Sequence, residues 1–351
     1  MNRLLKKTGL LVLAATLSLM LISGCGTAGQ TDTQEQTTQA KQETTTQAQQ
    51  ETTTSQGDDD SDTEQTGQDA QGDDQEEETG MFQIAGSDTE VNMVQRLTEV
   101  YTGTQSGVQF AVTGGGSGTG IAALIDNQID VANSSRPMRD SEIEQAIANG
   151  VEPVAFIFAQ DGLAVIVNEN NAIEELTVDQ IGAIFRGDIT NWNEVGGDDM
   201  DISTYGRQSS SGTYVYFMES VVKGDYSSGK KMLAGNANIV EGVLADQASI
   251  GYVGIGYAAQ DGAPVSGLKI LNVAADENSE AATPLEIENI MQGKYPIVRP
   301  LFHYTNGTPQ GALKEYLAFV VSDEGQAIVQ QEGFFPITAE YQAMNDESFG
   351  S

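Results

Sequence analysis

Three features of this 351-residue chain predict an α/β fold. Short apolar runs alternate with amphipathic stretches over residues 81–351, as strands and helices do in succession. That part is long enough for one large or two medium domains. Four runs of glycine, serine and threonine stand just ahead of helix-like stretches, and this is where open α/β sheets carry their ligands.

Residues 82–85 predict a strand, and 91–101 a helix with Val91, Val94, Leu97 and Tyr101 on one face. A second strand follows at 108–113, with a helix at 120–128 carrying Ile121, Leu124 and Ile125. A short extended piece at 131–133 leads to a helix at 141–148 ended by Gly150. Residues 154–159 and 163–168 read as buried strands. This βαβα order implies a parallel sheet covered by helices. A second series has helices at 178–185, 214–222, 240–247 and 285–291, and strands at 202–205 and 250–255. A strand at 297–304, with prolines suited to a sheet edge, precedes closing helices at 311–322 and 324–331. Two α/β units fit this series.

The four runs are Gly86-Ser87-Asp88-Thr89, Thr113-Gly114-Gly115-Gly116-Ser117-Gly118-Thr119-Gly120, Asn133-Ser134-Ser135-Arg136 and Arg207-Gln208-Ser209-Ser210-Ser211-Gly212-Thr213. A helix N-terminus offers unpaired N–H donors and partial positive charge, which suit a tetrahedral oxyanion. Four such ends converging with one arginine would form a dry anion cage, a device for binding rather than chemistry. The glycine-rich run lacks the Lys-Ser/Thr ending of a P-loop and misses the GxGxxG spacing. Its place between strand and helix favours an anion loop over a plain linker. A serine hydrolase is the rival from another class. Gly116-Ser117-Gly118 is one residue from a GxSxG elbow, but position 119 is threonine, and the chain's one histidine, His303, falls in an expected strand. No grouping of Asp and His suggests a metal phosphatase. The chain is therefore expected to be no enzyme and to need no cofactor or metal. Arg136 is expected to brace the fold, with orientation of Asp88 as the alternative, and Trp192 to pack rather than touch ligand.

Charge narrows the partners. The formal net charge is −35. Residues 26–80 contain no Val, Ile, Leu, Met or aromatic residue and carry 15 acids against one lysine, Lys41. Nothing there offsets the entropy of ordering, so the sequence predicts a self-repelling tether, without the DxDxDG spacing of a calcium loop. Residues 81–351 keep a net charge of about −24, which excludes nucleic acid as a natural partner. A small anion must then be held by local dipoles and a single charge. The chain opens with Arg3, Lys6 and Lys7, then a mostly apolar run over 9–22 that is short for a permanent span, the pattern of an export signal. The run ends Leu21-Ile22-Ser23-Gly24-Cys25, which resembles the lipobox of bacterial lipoproteins. That resemblance implies a signal peptide at 1–24 and a lipidated Cys25 that anchors the protein to a membrane, with the tether at 25–80.

The folded part, over about 83–336, resembles the phosphate-binding proteins that serve ABC-type phosphate importers, a branch of the type II periplasmic binding protein fold. The residues that carry the resemblance are Ile184-Phe185-Arg186-Gly187-Asp188-Ile189-Thr190-Asn191-Trp192-Asn193-Glu194-Val195-Gly196-Gly197, then Arg207 with Ser211-Gly212-Thr213, Ser134-Ser135-Arg136-Pro137, and Ile250-Gly251-Tyr252-Val253-Gly254. The resemblance implies two α/β lobes with a double crossover hinge: lobe 1 at 81–158 and 265–351, and lobe 2 at 159–264. It places the phosphate site on Ser87, Asp88, Thr89, Ser117, Ser135, Arg207, Ser211, Gly212 and Thr213, with Arg207 as the one charged donor. Ser135 stands where some members have an aspartate that accepts the phosphate proton. Asp88 is expected either to take over that acceptor role, which would reject unprotonated sulfate, or to cap a helix. The function implied is an extracytoplasmic, monomeric, lipid-anchored receptor that hands inorganic phosphate to an ABC permease. A receptor for another oxyanion and a phosphate sensor are the neighbouring readings. A purely adhesive surface lipoprotein would not require four anion loops.

Overall fold

The computed structural model describes residues 80–350. The expected signal peptide, Cys25 and nearly all of the tether lie outside the described residues. The chain runs β1 (Gly80–Gly86), α1 (Val91–Thr104), β2 (Val108–Thr113), α2 (Ser117–Ile125), β3 (Val131–Ser134), α3 (Asp140–Ala148) and β4 (Pro153–Gly162). It continues with β5 (Ala164–Asn168), β6 (Glu175–Thr177), α4 (Val178–Arg186), β7 (Ser203–Arg207), α5 (Gly212–Phe217), β8 (Lys231–Leu233), α6 (Asn236–Leu244) and β9 (Ser249–Val253). Then come α7 (Ile255–Ala258), β10 (Ala259–Gln260), β11 (Ala263–Pro264), β12 (Leu268–Ile270), β13 (Asn272–Ala274) and α8 (Ile287–Met291). The last elements are β14 (Val298–Asn306), α9 (Gly311–Val321), α10 (Asp323–Gln331) and α11 (Ala339–Ser348).

Two five-stranded sheets organise these elements, in the orders β2-β1-β3-β14-β4 and β12-β5-β9-β7-β8. Both are mixed, where the sequence predicts a parallel sheet. In the first, β1 is parallel to β2 and β3, but β14 is antiparallel to β3 and β4. In the second, β7 is parallel to β8 and β9, while β5 is antiparallel to β9 and β12. The reason lies in how the chain passes between sheets. Strands joined by a covering helix come out parallel, whereas β5 enters the second sheet from β4 across Leu163 alone and β14 re-enters the first.

Pro300 does not stand on a sheet edge, because β14 lies between β3 and β4. The register shifts between Leu301 and Phe302, right beside it. Opposite Pro300, the backbone of Gln160 exchanges hydrogen bonds with Phe335 (2.8 and 3.0 Å). The missing proline N–H therefore leaves no orphan on β4.

Local signals explain the clearer elements. Thr177 and Gln180 form a capping box at the start of α4, and Gly187 ends it at φ 84°. Trp192 is fully buried and donates to Ala248 O (2.9 Å), as befits a packing residue. The short strands β6, β8 and β10–β13 were not expected, since two or three residues carry no period. Nor was α11, whose one buried residue is polar. Its buried side chain, Asn345, bonds both the N–H (2.8 Å) and the carbonyl (2.7 Å) of Ile157. Among the described residues no helix is long and apolar enough to cross a membrane.

Candidate functional site

The glycine and hydroxyl runs meet between the two sheets. Ser87, Asp88 and Thr89 follow β1, Ser135 follows β3, and Ser117 is the first residue of α2. From the second sheet, Arg207 ends β7 and Gly212 and Thr213 open α5. Ser87 Oγ donates to Ser135 Oγ (3.0 Å), and Ser135 Oγ lies 3.3 Å from Ser117 Oγ. Ser117 Oγ also accepts from the Ser135 N–H (3.1 Å). A Cβ on Gly212 would stand 2.2 Å from Ser117 Oγ and 2.7 Å from Ser135 Oγ, so only glycine allows this approach. Thr89 Oγ1 and Thr213 Oγ1 are 2.8 Å apart. The side chains of Ser87, Thr89, Ser117, Ser135, Arg207, Ser211 and Thr213 are all buried. Ser211 uses its hydroxyl oxygen to cap α5, accepting from the Tyr214 N–H.

Asp88 and Arg207 form an ion pair across the two sides. Asp88 Oδ1 accepts from the Gly115 N–H (2.8 Å), and Tyr257 donates its hydroxyl to the Asp88 carbonyl (2.7 Å). Asp88 therefore does not cap α1, whose N-terminus has no side-chain cap. Arg207 Nη2 also reaches Ala234 O (2.8 Å), while Nε and Nη1 have no protein partner. Two buried guanidinium nitrogens thus remain for an anion. The glycine-rich run brings another backbone close: the Gly118 N–H donates to Ser210 O (3.0 Å). At Gly116, with φ 98°, a Cβ would lie 2.6 Å from the same oxygen.

Sequence reasoning expected one guanidinium, and the structure has two. Arg299, from β14, is 1% exposed and faces Asp161, its cross-strand partner on β4. Its Nε and Nη2 donate to Asp161 Oδ2 (3.1 and 2.8 Å). Nη2 also reaches Thr89 Oγ1 (3.3 Å) and Thr213 Oγ1 (3.0 Å), and Nη1 reaches Ser135 O (3.0 Å). A charged residue inside each of two mostly apolar strand stretches was the available signal. Glu90 was also missed. Its side chain is fully buried and neither carboxylate oxygen has a hydrogen-bond partner, the neighbouring Ser87 hydroxyl being turned to Ser135. Burial pushes its carboxyl well above the usual carboxylate range, and the charges of Asp161 and Asp88 add to this against the pull of Arg299.

Arg136 pairs with Glu142 through two bonds (2.7 and 2.6 Å) and braces the start of α3. His303 is fully buried and stacks on Phe158 with ring centroids 3.9 Å apart. Its Nδ1 lies 2.7 Å from Asn133 Oδ1, and its Nε2 has no partner, so it makes no hydrogen bond to Ser117. The Ser-His pairing that a serine hydrolase needs is not formed. Among the described residues no cluster of His, Cys, Asp and Glu is suited to a metal ion.

Two lobes on mixed sheets, with polar loops from both meeting between them, define a solute-binding architecture. A family model described as a PBP superfamily domain matches residues 33–324. The phosphate-binding protein PstS of Pseudomonas aeruginosa is 32% identical over 279 residues, covering 74% of this chain and 84% of that one. A phosphate ABC transporter substrate-binding protein from Clostridium perfringens, solved with bound phosphate, superimposes with a TM-score of 0.65 at 25% identity. It covers 74% of this chain and 100% of its own. An ABC-type phosphate transport receptor from Vibrio cholerae gives a TM-score of 0.59 at 26% identity, over 73% of this chain and 100% of that one. The chain belongs to the PBP superfamily, on the branch represented by PstS.

Proposed function

We propose that this chain is an extracytoplasmic receptor that binds inorganic phosphate between its two lobes and delivers it to an ABC importer. The observation that carries the reading is the meeting of Ser87, Thr89, Ser117, Ser135, Gly212 and Thr213 beside Arg207, two of whose nitrogens lack a protein partner. The phosphate named for the P. aeruginosa and C. perfringens relatives supports the choice of anion. Arg207 and Asp88 offset one another, as do Arg299 and Asp161. The anion is therefore held by directed N–H and O–H donors more than by net charge, against the negative field of the whole chain.

In this reading phosphate first binds one lobe, and closure then adds the donors of the other and expels water. We take the outward crossover at Leu163, a little beyond the boundary expected at 158/159, a choice supported by β4 staying in the first sheet to Gly162. We take the return to follow β13, beyond 264, a choice supported by the pairing of β13 with β6 and the place of β14 in the first sheet. A buried anion is poorly screened, so affinity depends weakly on salt. A lipid on Cys25 and a tether over 26–80 would hold the receptor, as a monomer, near its permease. Calorimetric titration of the full chain with phosphate, arsenate and sulfate tests the function. Saturable one-site phosphate binding is expected, and silence toward phosphate with a response to another oxyanion would overturn the assignment. Release of the protein from membranes by Cys25→Ser tests the anchor.

A further inference from the structure

The ion pair of Arg299 and Asp161 has a special address. Asp161 lies at the end of β4, two residues before the chain leaves the first sheet across Leu163. Arg299 is the second residue of β14, just after the chain has come back. The two are direct cross-strand neighbours, fully buried, on the strands that link the lobes. Any hinge between the sheets passes close to this pair, so the pair itself moves little.

Its bonds nevertheless reach both sides. Toward the first lobe, Arg299 Nη1 donates to Ser135 O (3.0 Å) and Nη2 to Thr89 Oγ1 (3.3 Å). Toward the second, Nη2 donates to Thr213 Oγ1 (3.0 Å), and Asp161 Oδ1 accepts from the Ile255 N–H at the start of α7 (3.0 Å). Gly254 permits this last contact, since its Cβ would meet Thr89 Cγ2 at 2.7 Å. The Ile255 bond continues the β5–β9 pairing, in which Ala164 stands opposite Val253. The bond to Thr213 at the start of α5 is therefore the one that depends on the second lobe swinging in. The bonds within the first lobe persist in either state.

The hydroxyl inventory gives the pair a second consequence. Thr89 and Thr213 own two hydroxyl hydrogens between them, and their oxygens are 2.8 Å apart, so one hydrogen is taken up in that contact. Arg299 Nη2, whose two hydrogens are shared among Asp161 Oδ2 and the two threonine oxygens, can only donate to that pair, which leaves the other hydroxyl hydrogen free to point away. That free hydrogen is available to an anion donor-first, never acceptor-first.

We infer that Arg299, neutralised by Asp161, is a positioning residue that couples lobe closure to the orientation of the Thr89 and Thr213 hydroxyls. This deepens the phosphate-receptor reading and rests on it. Arg299→Lys keeps the charge beside Asp161 but loses the planar guanidinium that sets Nη2 between the two threonines while Nη1 reaches Ser135 O. Asp161→Asn is the companion variant, close to isosteric, for the case that the lysine protein does not fold.

The experiment follows inorganic phosphate binding to the full chain by calorimetry and stopped flow, with small-angle scattering to report contraction and circular dichroism to report folding. Wild type should bind and contract. Either folded variant should bind about ten- to a hundredfold more weakly, the size of one or two charge-assisted hydrogen bonds. The loss should appear in the dissociation rate rather than the association rate, with less contraction at equal phosphate. A variant that matches wild type in dissociation rate and contraction, while only melting earlier, would reduce Arg299 to a structural bracket and overturn the inference. A wild-type chain that neither binds phosphate nor contracts would remove the receptor reading and this inference together.

Discussion

Gly212→Ala puts the closed arrangement to a quantitative test. The added methyl would lie 2.2 Å from Ser117 Oγ, 2.7 Å from Ser135 Oγ and 2.8 Å from Ser117 Cβ. The hydroxyls can rotate away, at the cost of the Ser135 N–H bond to Ser117 Oγ. The Cβ contact cannot be relieved that way, because it requires α5 and α2 to separate. Restoring an ordinary carbon–carbon distance of about 3.5 Å needs a withdrawal of about 0.7 Å. The Thr89–Thr213 contact at 2.8 Å and the Arg299–Thr213 bond at 3.0 Å would then stretch to the limit of hydrogen bonding or beyond it. One neutral and one charge-assisted bond are together worth about 3 kcal/mol. Phosphate affinity should therefore fall roughly a hundredfold. With the lobes apart, as the proposed mechanism has them before phosphate binds, Gly212 would not meet Ser117, so the ligand-free melting temperature should stay within about 2 °C of wild type. Calorimetry and ligand-free thermal melts measure both quantities. An alanine variant that binds phosphate within about threefold of wild type would refute the claim that this glycine is required by lobe approach.

Three further outcomes are expected. Glu90→Gln should stabilise the protein near neutral pH. The folded carboxyl titrates above its unfolded value of 4.5, so wild type loses stability as pH rises through that window, by up to about 1.4 kcal/mol per pH unit. Denaturant melts should show the variant's advantage shrinking toward zero as pH falls to 4.5, and a pH-independent difference would count against a buried protonated carboxyl. His303 behaves in the opposite sense, since burial pulls its pKa down to about 3 from 6.5. Stability is complete above the unfolded value and is lost on acidification through the interval down to about 3, with the same limiting slope. An NMR titration that finds the ring protonated at pH 5 in the folded protein would contradict this. Asp88→Asn removes the charge facing Arg207 while Gly115 can still donate to the amide oxygen. Parallel titrations with phosphate and sulfate should then show weaker discrimination between the two, whereas unchanged discrimination would end the role of Asp88 as a proton reader.

The local reading was good wherever a signal fits inside one turn or one strand. Thr177 with Gln180 and Gly187 frames α4, and the apolar period of residues 91–101 lies within α1. The convergence of Ser87, Ser117, Ser135, Gly212 and Thr213 was legible because helix starts following strands fall at one end of a sheet. Sheet direction was not legible at β14, since the polypeptide reaches it from another lobe and no nearby residue records that journey. The proline of β14 suggested an edge, but Gln160 turning to Phe335 lets Pro300 stand in the sheet interior.

The amino-acid sequence by itself determined the succession of strands and helices, the places where backbone donors are left over, and Arg207 as a charge beside them. These depend on periods, caps and glycine, all set by neighbours along the chain. Only the tertiary structure decided that Asp88 would face Arg207, 119 residues away, and that Arg299 would reach Thr89 across 210 residues. A buried charge is tolerable only with a partner. Which partner it finds depends on the strand order and lobe closure that bring distant segments together.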